Sequence, residues 1–323
     1  MEHFQEYMPA ELAGCRIEVG TVYRTNREEA GLTLIKPDTL AGLPSMTLCV
    51  SDLYERYQEN GSVEETLSEA ADMLADIWMN RSRGTENFSL SEARERVVMQ
   101  LVNTELNERL LRDSPSRPFH DLSIIYKIVA AVDEYGIRSA RVTNDLAERI
   151  GMDEQSLYEA ALKNTKKMFP PVMMYMNGMS MVRLDNRTWE GMEAEFENRI
   201  DGEEKKKMPL FMISNDRFLK GAVSMLYEEN LHTLAERLGT DLYILPSSVH
   251  EVIAMPVDFM SPYDAARMVE EINMAEVAPE DRLSNQVYQY DKELRQIVPV
   301  PDVPAKEISM DETGLAAVGK TKE

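Results

Sequence analysis

The sequence contains few of the residues that usually mark a functional site. Its 323 residues include two cysteines, four histidines and 7% aromatic residues. Cys15 and Cys49 form no Cys-x-x-Cys pair, so we expect two buried thiols in a reducing compartment. A chain of this length buries roughly two-thirds or more of its unfolded surface, and therefore needs no metal or disulfide to fold.

A leader and long apolar segments are also missing. The N-terminal residues MEHFQEYMPAELAG are acidic and amphipathic, whereas a signal peptide starts with basic residues followed by an apolar run. No stretch approaches the ~18 consecutive apolar residues of a membrane-spanning helix. The sequence therefore predicts a cytoplasmic protein without a membrane partner.

Positive charge is scarce as well. The chain has 35 lysines and arginines against 57 aspartates and glutamates, which gives a formal net charge of -22. This charge repels nucleic acids and acidic membranes at long range. The composition favours high solubility or a basic protein partner, and it disfavours a nucleic-acid partner.

Hydrophobic periodicity and turn residues predict an α+β fold with mixed or antiparallel sheets, packed helices and a disordered C-terminal tail. We expect a β-β-β-α segment at residues 1–92, an α+β body at residues 93–298 and the Pro-punctuated tail at residues 299–323. The first segment and the body form either one domain or two. Two local expectations are a polar turn at residues 25–31 and a strand at residues 222–227.

Residues 247–251 place serines, a histidine and a carboxylate close together. In an extended segment Ser248 and His250 lie on one face and Glu251 on the other. A hydrolase with Ser248, His250 and a distant acid is one hypothesis. Because no Gly-x-Ser-x-Gly elbow is present to expose a nucleophile, a turn held by side-chain-to-backbone hydrogen bonds is favoured.

His120 and Asp121 resemble the dipeptide of metal phosphohydrolases, in which His and Asp share one metal. Such a site needs more histidine ligands, and only His232 and His250 remain outside the N-terminus. A metal-dependent hydrolase at His120 and Asp121 is the second enzyme hypothesis, and packing of His120 at a strand start is the alternative. The Gly-rich phosphate-binding loops are absent, so we predict neither a bound metal nor a cofactor.

Residues 145–168 resemble a helix-turn-helix, with Gly151 at the end of the first helix and Asp153 as the cap of the second. A DNA-reading helix carries basic or amide side chains at its start, whereas this helix starts with Asp153 and Glu154. A structural helical hairpin is therefore favoured. Nucleic-acid binding stays an alternative, with the basic residues at the far end of the second helix as candidates: Lys163, Lys166 and Lys167.

Longer segments resemble a known family. The block FMISNDRFLKGAVSMLYEENLHTLAERLGTDLYILPSSVHEVIAMP, followed by NMAEVAPEDRLSNQVYQYD, resembles an uncharacterised domain-of-unknown-function family of gut Firmicutes proteins. YERYQENGSVEETL and VNTELNERLLRDSPSRPFHDLSII are similar to the same family, so the resemblance covers residues 16–290. Members are often associated with mobile elements such as conjugative plasmids and integrated phages. The resemblance implies no activity and no catalytic residue.

The leading hypothesis is a non-catalytic, cytoplasmic accessory or interaction protein of a mobile element. It rests on the failure of each catalytic pattern in ligand number or spacing, and on the acidic composition, which is compatible with a protein partner. The oligomeric state does not follow from the sequence.

Overall fold

The computed structural model describes residues 4–12, 14–35, 46–82, 90–133, 136–177, 180–185, 189–190 and 209–300. These residues form an α+β protein with antiparallel strand pairs, which confirms the predicted fold class. Two compact units can be distinguished: unit 1 comprises Met1–Pro171 and Asn215–Val223, and unit 2 comprises Val172–Ser214 and Ser224–Glu323. The predicted boundary after residue 92 stays a prediction. The tail was predicted at residues 299–323. Its first two residues are ordered, since Pro299 ends a strand and Val300 is buried, and residues 301–323 lie outside the described residues.

Unit 1 starts with a three-stranded antiparallel sheet and two helices. The elements are β1 (Arg16–Arg24), β2 (Arg27–Ile35), β3 (Met46–Cys49), α1 (Val50–Asn60), α2 (Val63–Ser82) and the 3-10 helices Phe4–Tyr7 and Ala10–Leu12. Leucines of β2 and β3 share a core with alanines of α2. The Glu65 N–H donates to Ser62 Oγ at 3.2 Å, which is one of the two hydrogen bonds of a capping box at the start of α2.

Unit 1 also contains a second antiparallel sheet, which has four strands. Its elements are α3 (Leu90–Glu95), β4 (Val97–Asn103), the 3-10 helix Glu105–Asn107, α4 (Glu108–Arg112), β5 (Ser116–Phe119), β6 (Leu122–Asp133) and β7 (Gly136–Arg141). β4 pairs with one edge of β6, while β5 and β7 share the other edge. Val98, Lys127 and Arg141 occupy one row across β4, β6 and β7, and directly paired residues present their side chains on the same face.

The predicted helical hairpin is confirmed as α5 (Asn144–Ile150) and α6 (Glu154–Met168). α5 ends at Gly151, whose φ of 61° is the left-handed conformation that glycine adopts readily. Asp153 caps α6 by accepting the Ser156 N–H at 2.9 Å. The Arg94 guanidinium donates to the carbonyls of Ile150 and Gly151 at 2.9–3.1 Å and so satisfies the end of α5.

α6 covers the free edge of β4. Thr165 Oγ1 accepts the Met99 N–H at 3.0 Å, and Asn164 Nδ2 donates to the Val97 carbonyl at 3.0 Å. An uncovered edge strand exposes unpaired backbone groups. Side chains of α6 therefore take the place of a further strand, and they fix the helix against the sheet.

Unit 2 contains a seven-stranded sheet. Its elements are β8 (Pro171–Asn177), β9 (Ser180–Arg183), β10 (Leu210–Asn215), α7 (Glu228–Leu238), β11 (Leu242–Leu245), β12 (Val252–Pro256), α8 (Pro262–Ala275), β13 (Tyr288–Asp291), β14 (Gln296–Pro299) and the 3-10 helices Val257–Phe259 and Pro279–Asp281. The strand order is β14-β13-β11-β12-β10-β8-β9. Residues of β11, β12 and α8 form its apolar core.

Two local predictions were wrong. The turn at residues 25–31 is shorter, because β2 starts at Arg27 and its polar residues continue the ladder. The segment predicted as a strand at residues 222–227 is largely the 3-10 helix Gly221–Leu226. A short apolar run does not distinguish a strand from a buried helical turn. In the described part of the chain, no helix combines the length and apolar character needed to cross a membrane.

Candidate functional site

Unit 1 contains a small cavity of about 140 Å³ on the Lys127 face of its second sheet. A cavity of roughly this size accommodates a molecule as large as benzene. Lining residues come from β4, β6 and β7, from the end of α6, and from the last residue of β10 with the segment that follows it. They are Val98, Met99, Gln100, Lys127, Val129, Ile137, Ser139, Thr165, Phe169, Asn215, Leu219 and Lys220.

The wall of this cavity is mostly apolar because of strand alternation. Val98 and Val129 lie on the same sheet face as Lys127. They pack with Phe169, which follows α6, and with Ile137 of β7. Charged and polar groups are therefore set into an apolar wall, which is the usual composition of a small-molecule site.

Lys127 is the exceptional group in the cavity. Among the described residues its ammonium has neither a hydrogen bond nor an ion-pair partner. Burial, together with the nearby cations Lys220 and Arg141, lowers the pKa of Lys127 to about 8. A desolvated lysine near other cations loses its proton more readily, since the charged form is the one that burial and repulsion disfavour.

The positive charge of Arg141 is compensated by a carboxylate, in contrast to that of Lys127. Its guanidinium lies 3.6 Å from the Asp113 carboxylate, and it donates to the Leu110 carbonyl at 3.2 Å and to the Ser114 hydroxyl. Burial lowers the pKa of Arg141, and Asp113 opposes this shift. Arg141 thus adds positive potential beside Lys127 while its own hydrogen-bonding capacity is used elsewhere.

The segment Asn215–Lys220, which we call the Asn215 loop, closes one side of the cavity. The Asn215 side chain donates to the Leu219 carbonyl at 2.9 Å and accepts the N–H groups of Arg217 and Leu219 at 3.0 and 3.3 Å. Phe218 and Lys220 have positive φ values of 52° and 53°. Such conformations are unfavourable for residues with a Cβ, and they persist where surrounding contacts enforce them.

Gln100 supplies an unsatisfied polar atom in the same wall. Its Nε2 donates to Thr25 Oγ1 at 3.3 Å, while its Oε1 is buried without a hydrogen bond among the described residues. A buried acceptor without a donor is uncommon in folded proteins. Gln100 therefore adds a buried acceptor, without a donor in the described part of the chain, to the residues that line the cavity.

This arrangement can perform two kinds of chemistry. As an ammonium, Lys127 can pair with an anionic group whose apolar part contacts the cavity wall. As a neutral amine, it can act as a nucleophile. Within the described residues the lining contains two lysines and no carboxylate, although the chain has a net charge of -22. A locally positive cavity in an acidic protein is suited to a small anion.

The structure brings His250 next to an acid. His250 Nε2 lies 3.1 Å from Asp281 Oδ1 in unit 2. Ser248 Oγ accepts the His250 backbone N–H at 2.9 Å and is hydrogen-bonded to Glu251, whose pKa is raised by burial. The favoured interpretation of this segment as a turn held by local side-chain bonds agrees with these contacts.

His120 and Asp121 form the turn between β5 and β6. His120 is exposed, has a φ of 57°, and packs its ring edge-on against Phe119 at a centroid distance of 4.7 Å. The Asp121 carbonyl accepts the Thr104 N–H at 3.0 Å. Across the part of the chain that the structure describes, no cluster of three or more His, Cys, Asp or Glu residues could hold a metal ion.

The start of α6 is occupied by a network of side chains. The Glu154 carboxylate accepts two hydrogen bonds from Arg117 at 2.9 Å and one from the Tyr126 hydroxyl. The bond with Arg117 is the largest cause of the lowered pKa of Glu154. Arg117 also lies over the Tyr158 ring, 3.8 Å from its centroid. These contacts explain the acidic start of the helix as a structural feature.

The candidate lysines lie at the other end of α6. Lys163 and Lys167 are exposed and one helical turn apart, so they share a face, while Lys166 is partly buried. The Lys127 cavity was not among the sites predicted from the sequence. The available signal was weak, a single charge within the apolar run of β6.

The elements above define an α+β protein with a small, positively charged cavity. The chain belongs to DUF5688, a family of unknown function, whose signature matches residues 1–292. This membership agrees with the resemblance found in the sequence. No curated protein and no solved structure is significantly similar to the chain.

Proposed function

We propose that this protein binds a small organic acid in the cavity of unit 1, with the carboxylate near Lys127 and Lys220. The observation that carries this proposal is the Lys127 ammonium, which lies in an apolar wall without an ion-pair partner among the described residues. A buried charge is unfavourable when it is unpaired, so a bound carboxylate gains a full charge-assisted interaction.

Butyrate is a suitable probe because it joins a carboxylate to a short apolar chain. The wild-type protein is titrated with butyrate at pH 7 by isothermal calorimetry, and its thermal unfolding midpoint is measured at the same concentrations. A ligand that binds only the folded state raises that midpoint. Lys127→Met is expected to weaken binding about tenfold or more, since one charge-assisted hydrogen bond is lost.

Lys163→Met is the matched control, because it removes the same charge from an exposed position on α6. It is expected to bind butyrate like the wild type. The affinity of the wild type should also fall as the pH rises through about 8, where Lys127 loses its proton. Equal binding by both variants, or a pH-independent affinity, would contradict the proposal.

The biological setting remains part of the proposal. We infer a non-catalytic, cytoplasmic accessory or interaction protein of a mobile element in gut Firmicutes. Support comes from the family resemblance, from the acidic composition, and from the two buried cysteines, which carry no disulfide. The test is whether genes of family members lie between the ends of transferable elements; a chromosomal location with conserved housekeeping neighbours would contradict it.

Hydrolase activity in unit 2 is a second candidate because of one contact. The His250–Asp281 pair provides the histidine and distant acid of the triad hypothesis. A fluorophosphonate probe should label Ser248 in the wild type and leave Ser248→Ala unlabelled. The absence of labelling in the folded wild type would remove this candidate.

Nucleic-acid binding by residues 145–168 is supported only by the exposed pair Lys163 and Lys167. Binding of duplex DNA that weakens steeply with salt would favour it. No binding at low salt would exclude this alternative.

A further inference from the structure

We infer that Lys127 forms a reversible Schiff base with a short 2-oxo acid, and that Lys220 holds the carboxylate of this ligand. This inference rests on the proposed binding function, because it uses the same cavity. It goes further by naming the reactive atom, Lys127 Nζ, and the chemical class of the ligand.

The environment of the Lys127 amine favours its neutral form. Lys127 lies in a row of the sheet between Val98 and Arg141, and Lys220 lines the same cavity. Both cations oppose protonation of Lys127, and neither can accept a hydrogen bond from it. Desolvation beside another cation is a recognised way in which a protein activates a lysine nucleophile.

The cavity wall contains a second lysine besides Lys127. A neutral Lys127 no longer pairs with an anion, but Lys220 remains in the lining to bind a carboxylate. In a 2-oxo acid the carbonyl carbon is bonded directly to the carboxylate carbon. One ligand can therefore place its carboxylate near Lys220 and its carbonyl near Lys127, while a short alkyl chain contacts Val129 and Phe169.

The size of the cavity limits the ligand. About 140 Å³ accommodates a molecule of the size of benzene. A 2-oxo acid with a side chain of one to three carbons has a similar volume, whereas sugar phosphates and nucleotides are too large. This limit selects short 2-oxo acids among the carbonyl compounds that carry an anionic group.

The proposed step is balanced without a further reactant. The neutral Nζ attacks the carbonyl carbon, a C–N bond forms, and the carbonyl oxygen becomes the hydroxyl of a carbinolamine. This hydroxyl then leaves as water with the second proton of the amine, and a C=N bond remains. Addition of water reverses the step, so the capture is reversible and no group is oxidised or reduced.

Reductive trapping tests the inference directly. The full-length protein is incubated at pH 7 with 2-oxobutyrate and sodium cyanoborohydride, which reduces an imine to a stable secondary amine. Peptide mapping by mass spectrometry then locates the adduct. With a pKa of about 8, roughly one-tenth of Lys127 is neutral at pH 7, against about one in 2,500 for an ordinary lysine. Labelling of Lys127 is therefore expected to exceed that of exposed lysines about 200-fold.

Variants separate the roles of the two lysines. Lys127→Arg keeps the positive charge but cannot form an imine, so it should bind butyrate and give no adduct. Lys220→Met should still form the adduct at Lys127, but only at higher concentrations of 2-oxobutyrate. An adduct on Lys220, or labelling spread evenly over the lysines, would overturn the inference.

Butyrate distinguishes this inference from the binding function on which it rests. It has the same carbon chain as 2-oxobutyrate but lacks the ketone group with which an amine forms a Schiff base. Butyrate binding without an adduct from 2-oxobutyrate would overturn the Schiff base and leave the binding function intact. An adduct at Lys127 without butyrate binding would support the reactive amine and contradict the carboxylate site. If butyrate does not bind and 2-oxobutyrate gives no adduct, both the binding function and the Schiff base are contradicted.

Discussion

Lys127 and Arg141 are direct partners across the β6–β7 ladder, so two cations face each other on one side of the sheet. Like charges in directly opposed positions destabilise a sheet. Asp113 at 3.6 Å offsets the charge of Arg141, but among the described residues no carboxylate does the same for Lys127. The pair therefore stores an unfavourable interaction at the wall of a cavity, where a bound anion would relieve it.

Removal of the Lys127 charge should stabilise the free protein. Folding lowers the pKa of Lys127 from its ordinary value to about 8, so between that value and about 10.4 the unfolded chain binds more protons. The free energy of unfolding should therefore rise with pH in this window. Below pH 8 the charged Lys127 should destabilise the folded protein by its full amount. Lys127→Met is expected to raise the free energy of unfolding at pH 7 by about 1–3 kcal/mol.

Urea unfolding at pH 7 and at pH 10 measures this effect, with Lys163→Met as the control for loss of an exposed charge. The difference between wild type and Lys127→Met should shrink at pH 10. A Lys127→Met protein that is less stable than the wild type at pH 7 would show that the amine has a compensating partner.

The Asn215 side chain should control the rigidity of the Asn215 loop. Asn215→Ala removes the three hydrogen bonds that fix Arg217 and Leu219, while the positive φ values at Phe218 and Lys220 remain unfavourable. Trypsin is expected to cleave the variant after Arg217 or Lys220 at least about tenfold faster than the wild type, because local opening costs less free energy. Equal cleavage rates would mean that other contacts hold the loop.

The Glu154 network should contribute to the stability of unit 1. Arg117→Met leaves the Glu154 carboxylate without its cation, and only the Tyr126 hydroxyl still donates to it within this network. We expect a loss of about 1–2 kcal/mol in the free energy of unfolding, reduced from the value of a fully buried pair by partial exposure. Arg112→Met is the control, because its exposed pair with Glu108 at 3.6 Å should contribute less than about 0.5 kcal/mol.

Both thiols should be unreactive in the folded protein. Cys15 and Cys49 are buried. Burial, with a hydrogen bond to Glu29, raises the pKa of Cys49 to about 12, so very little thiolate is present at pH 8. Iodoacetamide at pH 8 should alkylate Cys49 only after unfolding in urea. Rapid alkylation of the native protein would contradict the burial of this residue.

Local signals predicted the local structure. Gly151 and Gly239 follow the similar sequences LAERI and LAERL, and both adopt left-handed φ values of 61° and 73° at the ends of their helices. Asp153 caps α6 as its position indicated. These features depend on residues within one or two turns, so the sequence contains the full information for them.

The cavity depends on contacts that the sequence does not reveal. Lys127 is placed by the register of β4, β6 and β7, and Lys220 comes from a loop 93 positions further along the chain. Hydrophobic patterns predict which strands form, but they do not predict which strands become neighbours. The sequence therefore shows a lone lysine in an apolar strand. It does not show that this lysine has no ion-pair partner among the described residues.

The ionisation of Lys127 tests most directly whether its amine lies desolvated and without an anionic partner in the cavity. Selective labelling of lysine Cε with carbon-13 allows its titration to be followed by NMR, and the signal is assigned by its absence in Lys127→Met. We expect a midpoint near pH 8 in the free protein and an upward shift when butyrate is bound. A midpoint near the ordinary lysine value of about 10.4, unchanged by butyrate, would contradict it.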